Sequence, residues 1–341
     1  MRYLPEWLRR QRAQQLVNFG RIRVIDGAEG GRVIPSGHPD SPFVVVCDVY
    51  VAGRPTLAAR SLDPPFDVIA QSVDYHGRRG ILKRFLRSDL RAERARPLDI
   101  AMLLGSPPHP FDTFWHWTFE SLLKAILAEE RGFKGVYLVP SQAYARQSLA
   151  VVGIAPERIV PHDSADISKV RELWVSPHYA GHELMGHPDL LMKLRTAMLR
   201  SIPKQRTHRR VYISRNRPGV IRQILNEAAF KALIAKFGFE EYFCEDHDIS
   251  AQVEHFAGAA AIIGSDGAGI AVNALYMPEG SLVVSLFAPL RFGVGGTLMP
   301  SRLLKHRYYT VMPNTDGSYL HGEDVIANLA VIEAILEREL G

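Results

Sequence analysis

An apolar run from Ala259 to Ile263, a turn at Gly264-Ser265-Asp266-Gly267-Ala268-Gly269 and a second apolar run from Ser281 to Phe287 constrain this chain most. The first run is short, continuous and bounded by glycine, which predicts a strand buried on both faces. Ala268 to Met277 predicts a helix, closed by Pro278 and Gly280. Ser281 to Phe287 predicts the next strand. Strand, turn, helix and strand in that order form the repeating unit of a parallel α/β sheet. The turn is expected at the sheet's carboxyl edge, where the N–H groups that open a helix favour an anion such as phosphate. Gly267 and Gly269 let the backbone come close to it. The glycine order is G-x-x-G-x-G, not the dinucleotide fingerprint G-x-G-x-x-G, and no P-loop lysine follows. A tight turn with no ligand satisfies the same residues.

The remainder of the chain bounds the function class. At 341 residues there is length for two domains. Charged residues make up 23% and hydrophobic ones 47%, as in soluble globular proteins. No apolar run reaches the roughly 18–20 residues needed to cross a bilayer. The basic N-terminus lacks the apolar core and small-residue cleavage site of a signal peptide. Cys47 and Cys244 lie far apart and read as free thiols, which suits a reducing cytoplasm, the expected location. The net charge of +5 suits phosphate-bearing ligands or an anionic membrane. No nucleic-acid-binding motif is present. Residues 1–16 place Leu4, Trp7 and Leu8 among Arg2, Arg9, Arg10 and Arg12. That pattern fits a helix lying on an anionic membrane, and equally a solvated, partly docked one.

Taken in order, residues 1–203 read as a first domain. Strands are expected at 42–51, 99–104, 135–139, 158–160 and 170–175, with helices at 141–152 and 188–202. Residues 79–98 are Arg-rich and read as surface. A helix from Asp112, capped by Asp112 or Thr113, carries Phe119, Leu122, Leu123 and Ile126 at core spacing. His116 and Glu120 are four apart and share a face. His178, His182 and His187 lie among Pro177, Gly181 and Gly186, so they read as a loop and not a metal site. Residues 203–210 read as a linker. A second domain, 204–320, opens with a strand at 210–214 and the loop Arg215-Asn216-Arg217-Pro218-Gly219. Asn226 is the expected N-cap of a helix with Phe230, Leu233, Ile234 and Phe237 on one face. A short strand is expected at 241–243, a helix at 250–257 and a strand at 308–312. The helix at the C-terminus, within 321–341, is expected to pack back on the first domain.

Three segments, in order, resemble one family. Tyr212-Ile213-Ser214-Arg215 with Arg222, Asn226 and Glu227 resembles the Y-I-S-R … R-x-x-x-N-E pattern of glycosyltransferase family 61. Gly264 to Asn273 resembles its G-x-H-G-A-G-L-x-N segment, and His116 to Glu120 its H-x-x-x-D/E helix start. The resemblance implies an α/β, GT-B-like fold, two Rossmann-like domains with parallel sheets facing a central cleft. It implies inverting transfer from a nucleotide sugar, expected to be UDP-linked, to a glycan or lipid-linked glycan, with no metal and no cofactor. The cellular role it implies is surface-polysaccharide assembly in bacteria.

On that reading Arg215, Arg222, Asn226, Glu227, Gly264, Asp266, Gly267, Ala268, Gly269 and Asn273 form the donor site. Metal-free transfer must neutralise the departing diphosphate, and Arg's fork suits that task. The base is Glu120 with His116 orienting it, or the reverse, with Asp112 the third candidate. Asp246-His247-Asp248 is a D-x-D, read here as a loop whose Asp248 or Ser250 caps the next helix. Three positions depart from the family pattern: Asp266 replaces its His, Thr113 its Asn, and Ser285 stands where a Glu often ends the following strand. Asp266 leaves open a non-catalytic nucleotide-sugar binder. A dehydrogenase is the third reading, and the missing G-x-G-x-x-G speaks against it.

Overall fold

The computed structural model describes residues 22–28, 30–36, 42–52, 57–63, 66–69, 90–104, 114–163, 165–176, 187–203, 208–286, 295–313 and 324–341. The chain divides into two compact units, Met1–Leu184 and Met185–Gly341.

The first unit contains β1 (Ile22–Ile25), β2 (Arg32–Ile34), β3 (Phe43–Ala52), β4 (Leu57–Ala59), β5 (Phe66–Ile69) and β6 (Arg96–Leu103). Helix α1 follows as three consecutive segments, Phe114–His116, Trp117–Leu122 and Leu123–Glu130, the middle one π-helical. Then come β7 (Val136–Val139), α2 (Ala143–Val151), β8 (Ile159–Pro161) and β9 (Ile167–Val175). The strands form one sheet, β1-β5-β4-β3-β9-β6-β7-β8, with β2 also on β3. β6 to β9 pair in parallel, whereas β3 is antiparallel to β2, β4 and β9. The expected all-parallel first domain is therefore corrected to a mixed sheet. The short links from β3 to β4 and β4 to β5 allow only antiparallel neighbours. β3 concealed this because Val44, Val46, Val49 and Val51 are all buried, so it reads as a parallel-sheet strand. β6 opens inside the Arg-rich segment expected to be surface, where Arg96 and Pro97 are exposed; residues 79–89 lie outside the described residues.

The second unit contains α3 (Pro188–Leu199), β10 (Arg209–Ile213), α4 (Glu227–Ala235), β11 (Phe239–Tyr242), α5 (Ile249–Ala257) and β12 (Ala259–Ser265). It continues with α6 (Ala268–Ala274), β13 (Leu282–Leu286), α7 (Gly295–Leu303), β14 (Arg307–Val311) and α8 (Leu329–Leu340). Its five strands are all parallel, in the order β11-β10-β12-β13-β14. This is a doubly wound sheet in which the chain turns from one side of β10 to the other. One face packs Tyr212, Ala261, Ile263, Leu282, Val284, Leu286 and Val311 against Phe230, Leu233 and Ile234 of α4 and Ile332, Ile335 and Leu336 of α8. Phe230 is fully buried, and truncating such a side chain to Ala costs about 3–5 kcal/mol. α6 lies against the other face, where a Cβ on Gly269 would stand 3.3 Å from Ile213 Cγ2.

α3 belongs to this unit, where Arg195 donates to the Leu275 carbonyl. The division thus falls before α3, not after it as expected. α8 packs Ile332, Ile335 and Leu336 into the second unit's own core. The sequence reading missed α7, because Gly295, Gly296 and an internal Pro300 all read as breakers. Among the described residues no helix is long and apolar enough to cross a membrane. Residues 1–16, Asp112, Thr113, His178 and His182 lie outside the described residues.

Candidate active site

The carboxyl ends of β10 and β12 lie side by side, with Ile213 paired to Gly264. The chain reverses its direction of winding there, the place where open α/β sheets hold ligands. Arg215 leaves one strand and Asp266-Gly267 the other. Gly267 has φ +151°, and a Cβ built on it would stand 2.7 Å from Nη1 of Arg215 and 2.9 Å from Nη1 of Arg222. Two guanidinium groups therefore close on one glycine, and a side chain there would displace them. Among the described residues neither arginine forms an ion pair with a carboxylate. Burial first, and the Arg222 charge second, hold the Arg215 guanidinium below its ordinary range.

Arg222 is held in an uncommon conformation. Its φ is +65°, which for a non-glycine residue costs of order 1–3 kcal/mol and persists only where the surroundings enforce it. The surroundings here are a laced loop. Asn216 Nδ2 donates to the Ile224 carbonyl at 3.0 Å, and the Ile224 N–H donates to Asn216 Oδ1 at 2.9 Å. Gln223 Nε2 donates to the carbonyls of Arg217 and Val220. Ser265 Oγ donates to the Arg222 carbonyl at 3.0 Å, and Arg222 Nη1 donates to the Asp266 carbonyl. Nε of Arg222 is buried with no hydrogen-bond partner. A buried orphan donor on a cation is costly unless a ligand takes it.

The Asp266 carboxylate is held by hydroxyls and not by the arginines. Thr297 Oγ1 donates to its Oδ1 at 3.1 Å, and Ser285 Oγ makes a longer contact of 3.4 Å to the same oxygen. Its N–H donates to the Leu286 carbonyl at 2.7 Å.

The other expected donor residues mostly build the scaffold. Gly264 allows β10 and β12 to approach, since a Cβ there would stand 2.8 Å from the Ile213 carbonyl oxygen. Gly269 lets α6 close on Ile213, and half-buried Ala268 opens that helix. Asn273 is fully buried and donates to the Gly269 carbonyl at 2.8 Å and to Cys244 Sγ at 3.4 Å. Burial pushes the Cys244 thiol up to about 12. Asn226 occupies the N-cap position of α4 but makes no side-chain cap there. It clamps Ala327 instead, donating from Nδ2 to the carbonyl at 3.0 Å and accepting from the N–H at 2.8 Å. Glu227 accepts from Tyr212 at 3.2 Å and from Ser214 at 3.4 Å, and burial raises the Tyr212 phenol.

In the first unit, Nδ1 of His116 lies 2.7 Å from Oε1 of Glu120. The π segment begins at Trp117 and is buried throughout, Glu120 included. Thr118 Oγ1 donates back to the Phe114 carbonyl at 2.7 Å, competing with that turn's backbone bond. Such π turns are frequent at functional sites. The carboxylate is the inner partner, with its side chain 10% exposed against 27% for His116.

The D-x-D is otherwise occupied. Asp246 takes the Arg217 guanidinium through both oxygens, and Asp248 caps α5 by accepting from the Ala251 N–H at 2.8 Å. Among the described residues no three of His, Cys, Asp and Glu gather as metal ligands. Sequence reasoning missed Thr297, Asn216 and Gln223. Thr297 was hidden with α7, and the two amides carry no signal outside the fold.

A family model described as Glycosyltransferase 61 matches residues 114–284, just over half of the chain. The match starts with α1 and ends within β13, so it includes the paired residues above except Ser285, Leu286, Thr297 and Ala327. No curated protein matches the chain.

Proposed function

The chain belongs to glycosyltransferase family 61, and on that premise we propose that it is an inverting, metal-independent transferase acting on a nucleotide sugar. The donor in this reading is UDP-linked, and the acceptor a glycan or lipid-linked glycan of the cell surface. The nucleotide sugar is a substrate, with no resident cofactor. The observation that carries the reading is the guanidinium pair on Gly267, with a buried, unpartnered Nε on Arg222. A diphosphate supplies the negative charge that this pair lacks and an acceptor oxygen for Nε of Arg222.

Arg215 and Arg222 bind the diphosphate and stabilise the charge that grows on it as the sugar's anomeric bond breaks. A base takes the proton of the acceptor hydroxyl, whose oxygen attacks the anomeric carbon in a single displacement that inverts it. Nδ1–H of His116, donating to Glu120, leaves the lone pair on Nε2. This favours His116 as the base and Glu120 as the group that orients it, the second of the two orders considered from sequence. Placement in bacterial-type capsule or lipopolysaccharide assembly rests on the family alone.

The test is turnover of a nucleotide-sugar panel with saccharide acceptors in EDTA, followed as nucleoside diphosphate release and product anomeric configuration. Transfer with inversion is expected. Loss of transfer that Mg²⁺ or Mn²⁺ restores would overturn metal independence. Donor binding without turnover across the panel would assign a non-catalytic binder instead.

A further inference from the structure

Asp266 is pinned on three sides. Its N–H is held by β13, its carbonyl by Arg222, and one carboxylate oxygen by Thr297 and Ser285, which are 2% and 0% exposed. Among the described residues nothing donates to the other oxygen, Oδ2. The residue is half-buried and follows directly on β12, next to the glycine that both arginines approach. A carboxylate with two cations for neighbours would ordinarily pair with one of them. This one is held off them by the turn and by two buried hydroxyls.

A carboxylate oxygen only accepts, so a ligand group that meets Oδ2 must be a donor. A phosphate has none at neutral pH and is repelled. Resting on the diphosphate reading above, we infer that Asp266 accepts a hydrogen bond from a hydroxyl of the bound nucleotide sugar. Asp266 is then a residue that determines donor specificity. Hydroxyls flank the diphosphate a few bonds away on both sides, on the ribose and on the transferred sugar. Either presents the same chemistry to a fixed carboxylate oxygen. A site built to receive a hydroxyl rejects the analogue that lacks it, because its own polar atom is then left unpaired.

The test is calorimetric binding of inorganic pyrophosphate, UDP, 2′-deoxy-UDP, 3′-deoxy-UDP, UDP-glucose and the deoxyglucose counterparts of UDP-glucose, to the parent protein and to Asp266→Asn. Asn keeps the shape and can still accept from Thr297. The expected result is a loss in Asp266→Asn about ten- to a hundredfold larger for the hydroxyl-bearing ligand than for pyrophosphate. Deleting the ligand hydroxyl should cost the parent the same factor and cost the variant nothing further. A loss already present with UDP identifies the ribose, and one that appears only with UDP-glucose identifies the transferred sugar. Equal losses for pyrophosphate and nucleotide sugar, or tighter binding of both, would overturn the inference and leave the diphosphate site standing. If the parent binds no ligand of the set, the diphosphate site itself falls and the inference with it. Should Asp266→Asn fail to fold, the deoxy series on the parent and on Thr297→Val, which loosens the carboxylate without changing charge, makes the same comparison. A parent indifferent to every hydroxyl deletion refutes the proposal.

Discussion

His116 Nδ1 and Glu120 Oε1 stand 2.7 Å apart across the point where α1 changes to π winding. The inner carboxylate fixes the ring, and the ring is the more exposed member. His116→Ala is expected to cut kcat by about 10²–10⁴-fold, the usual contribution of a positioned base. Glu120→Gln keeps a hydrogen-bond acceptor and should cost less. Donor affinity should move little in either. Steady-state transfer assays check the order. A larger loss in Glu120→Gln would make the carboxylate the base, and near-parental rates in both would reduce the pair to helix packing.

Arg215→Gln and Arg222→Gln should separate binding from stability. Each is expected to weaken pyrophosphate or donor binding by about 1.5–3 kcal/mol, the range for a hydrogen bond to a charged group. Without ligand, Arg215→Gln should change Tm less than Arg222→Gln, since burial and the Arg222 charge act against its cation and offset the loss of its bond to the Ile221 carbonyl. Arg222→Gln should lower Tm, because Arg222 also holds the Asp266 carbonyl. Thermal melts with and without pyrophosphate read both effects. Parental pyrophosphate stabilisation in both variants would remove the anion site.

The two glycines of the turn should fail in different ways. Gly264→Ala drives a Cβ to 2.8 Å from a backbone carbonyl in β10, which cannot yield without parting the strands. Overpacking of that kind costs about 1–3 kcal/mol, whether or not ligand is present. Gly267→Ala meets only the ends of two flexible side chains, but at φ +151°. It should displace both guanidinium groups and abolish most ligand stabilisation. Urea unfolding with and without pyrophosphate distinguishes them, and equal, ligand-independent losses would make Gly267 purely structural.

A pH dependence follows from His255. Its ring stacks on Tyr242 with centroids 4.2 Å apart. Burial, then the charges of Arg209 and His247, lower it from 6.5 to about 4. Between those values the unfolded chain takes a proton that the folded chain refuses. Stability should therefore fall as pH drops through that window, by at most about 1.4 kcal/mol per pH unit and less after solvent screening. Above the window this group contributes no slope. His255→Phe keeps the stack and should flatten the curve of urea midpoint between pH 7 and pH 4. An unchanged slope would place the effect elsewhere.

The sequence alone determined the parts whose signal is local. β12, the Gly-rich turn, α6 and β13 were legible because apolar runs of strand length alternate with breakers, and that pattern needs no tertiary partner. The likeness to family 61, the pairing of His116 with Glu120 by helical spacing, and the capping role of Asp248 were legible for the same reason. Only the tertiary structure decided which way each polar side chain faces. Asn226 clamps Ala327 across 101 residues of chain, Asp266 turns to Thr297 on a helix hidden by its own proline, and Arg222 reaches Gly267 through a loop tied by Asn216 and Gln223. The antiparallel half of the first sheet belongs with these. A strand buried on both faces has the same composition whichever way its neighbours run, so hydrophobic pattern carries no record of direction. Propensity and periodicity are properties of a few consecutive residues, whereas the partner of a hydrogen bond is chosen by the fold that brings distant segments together.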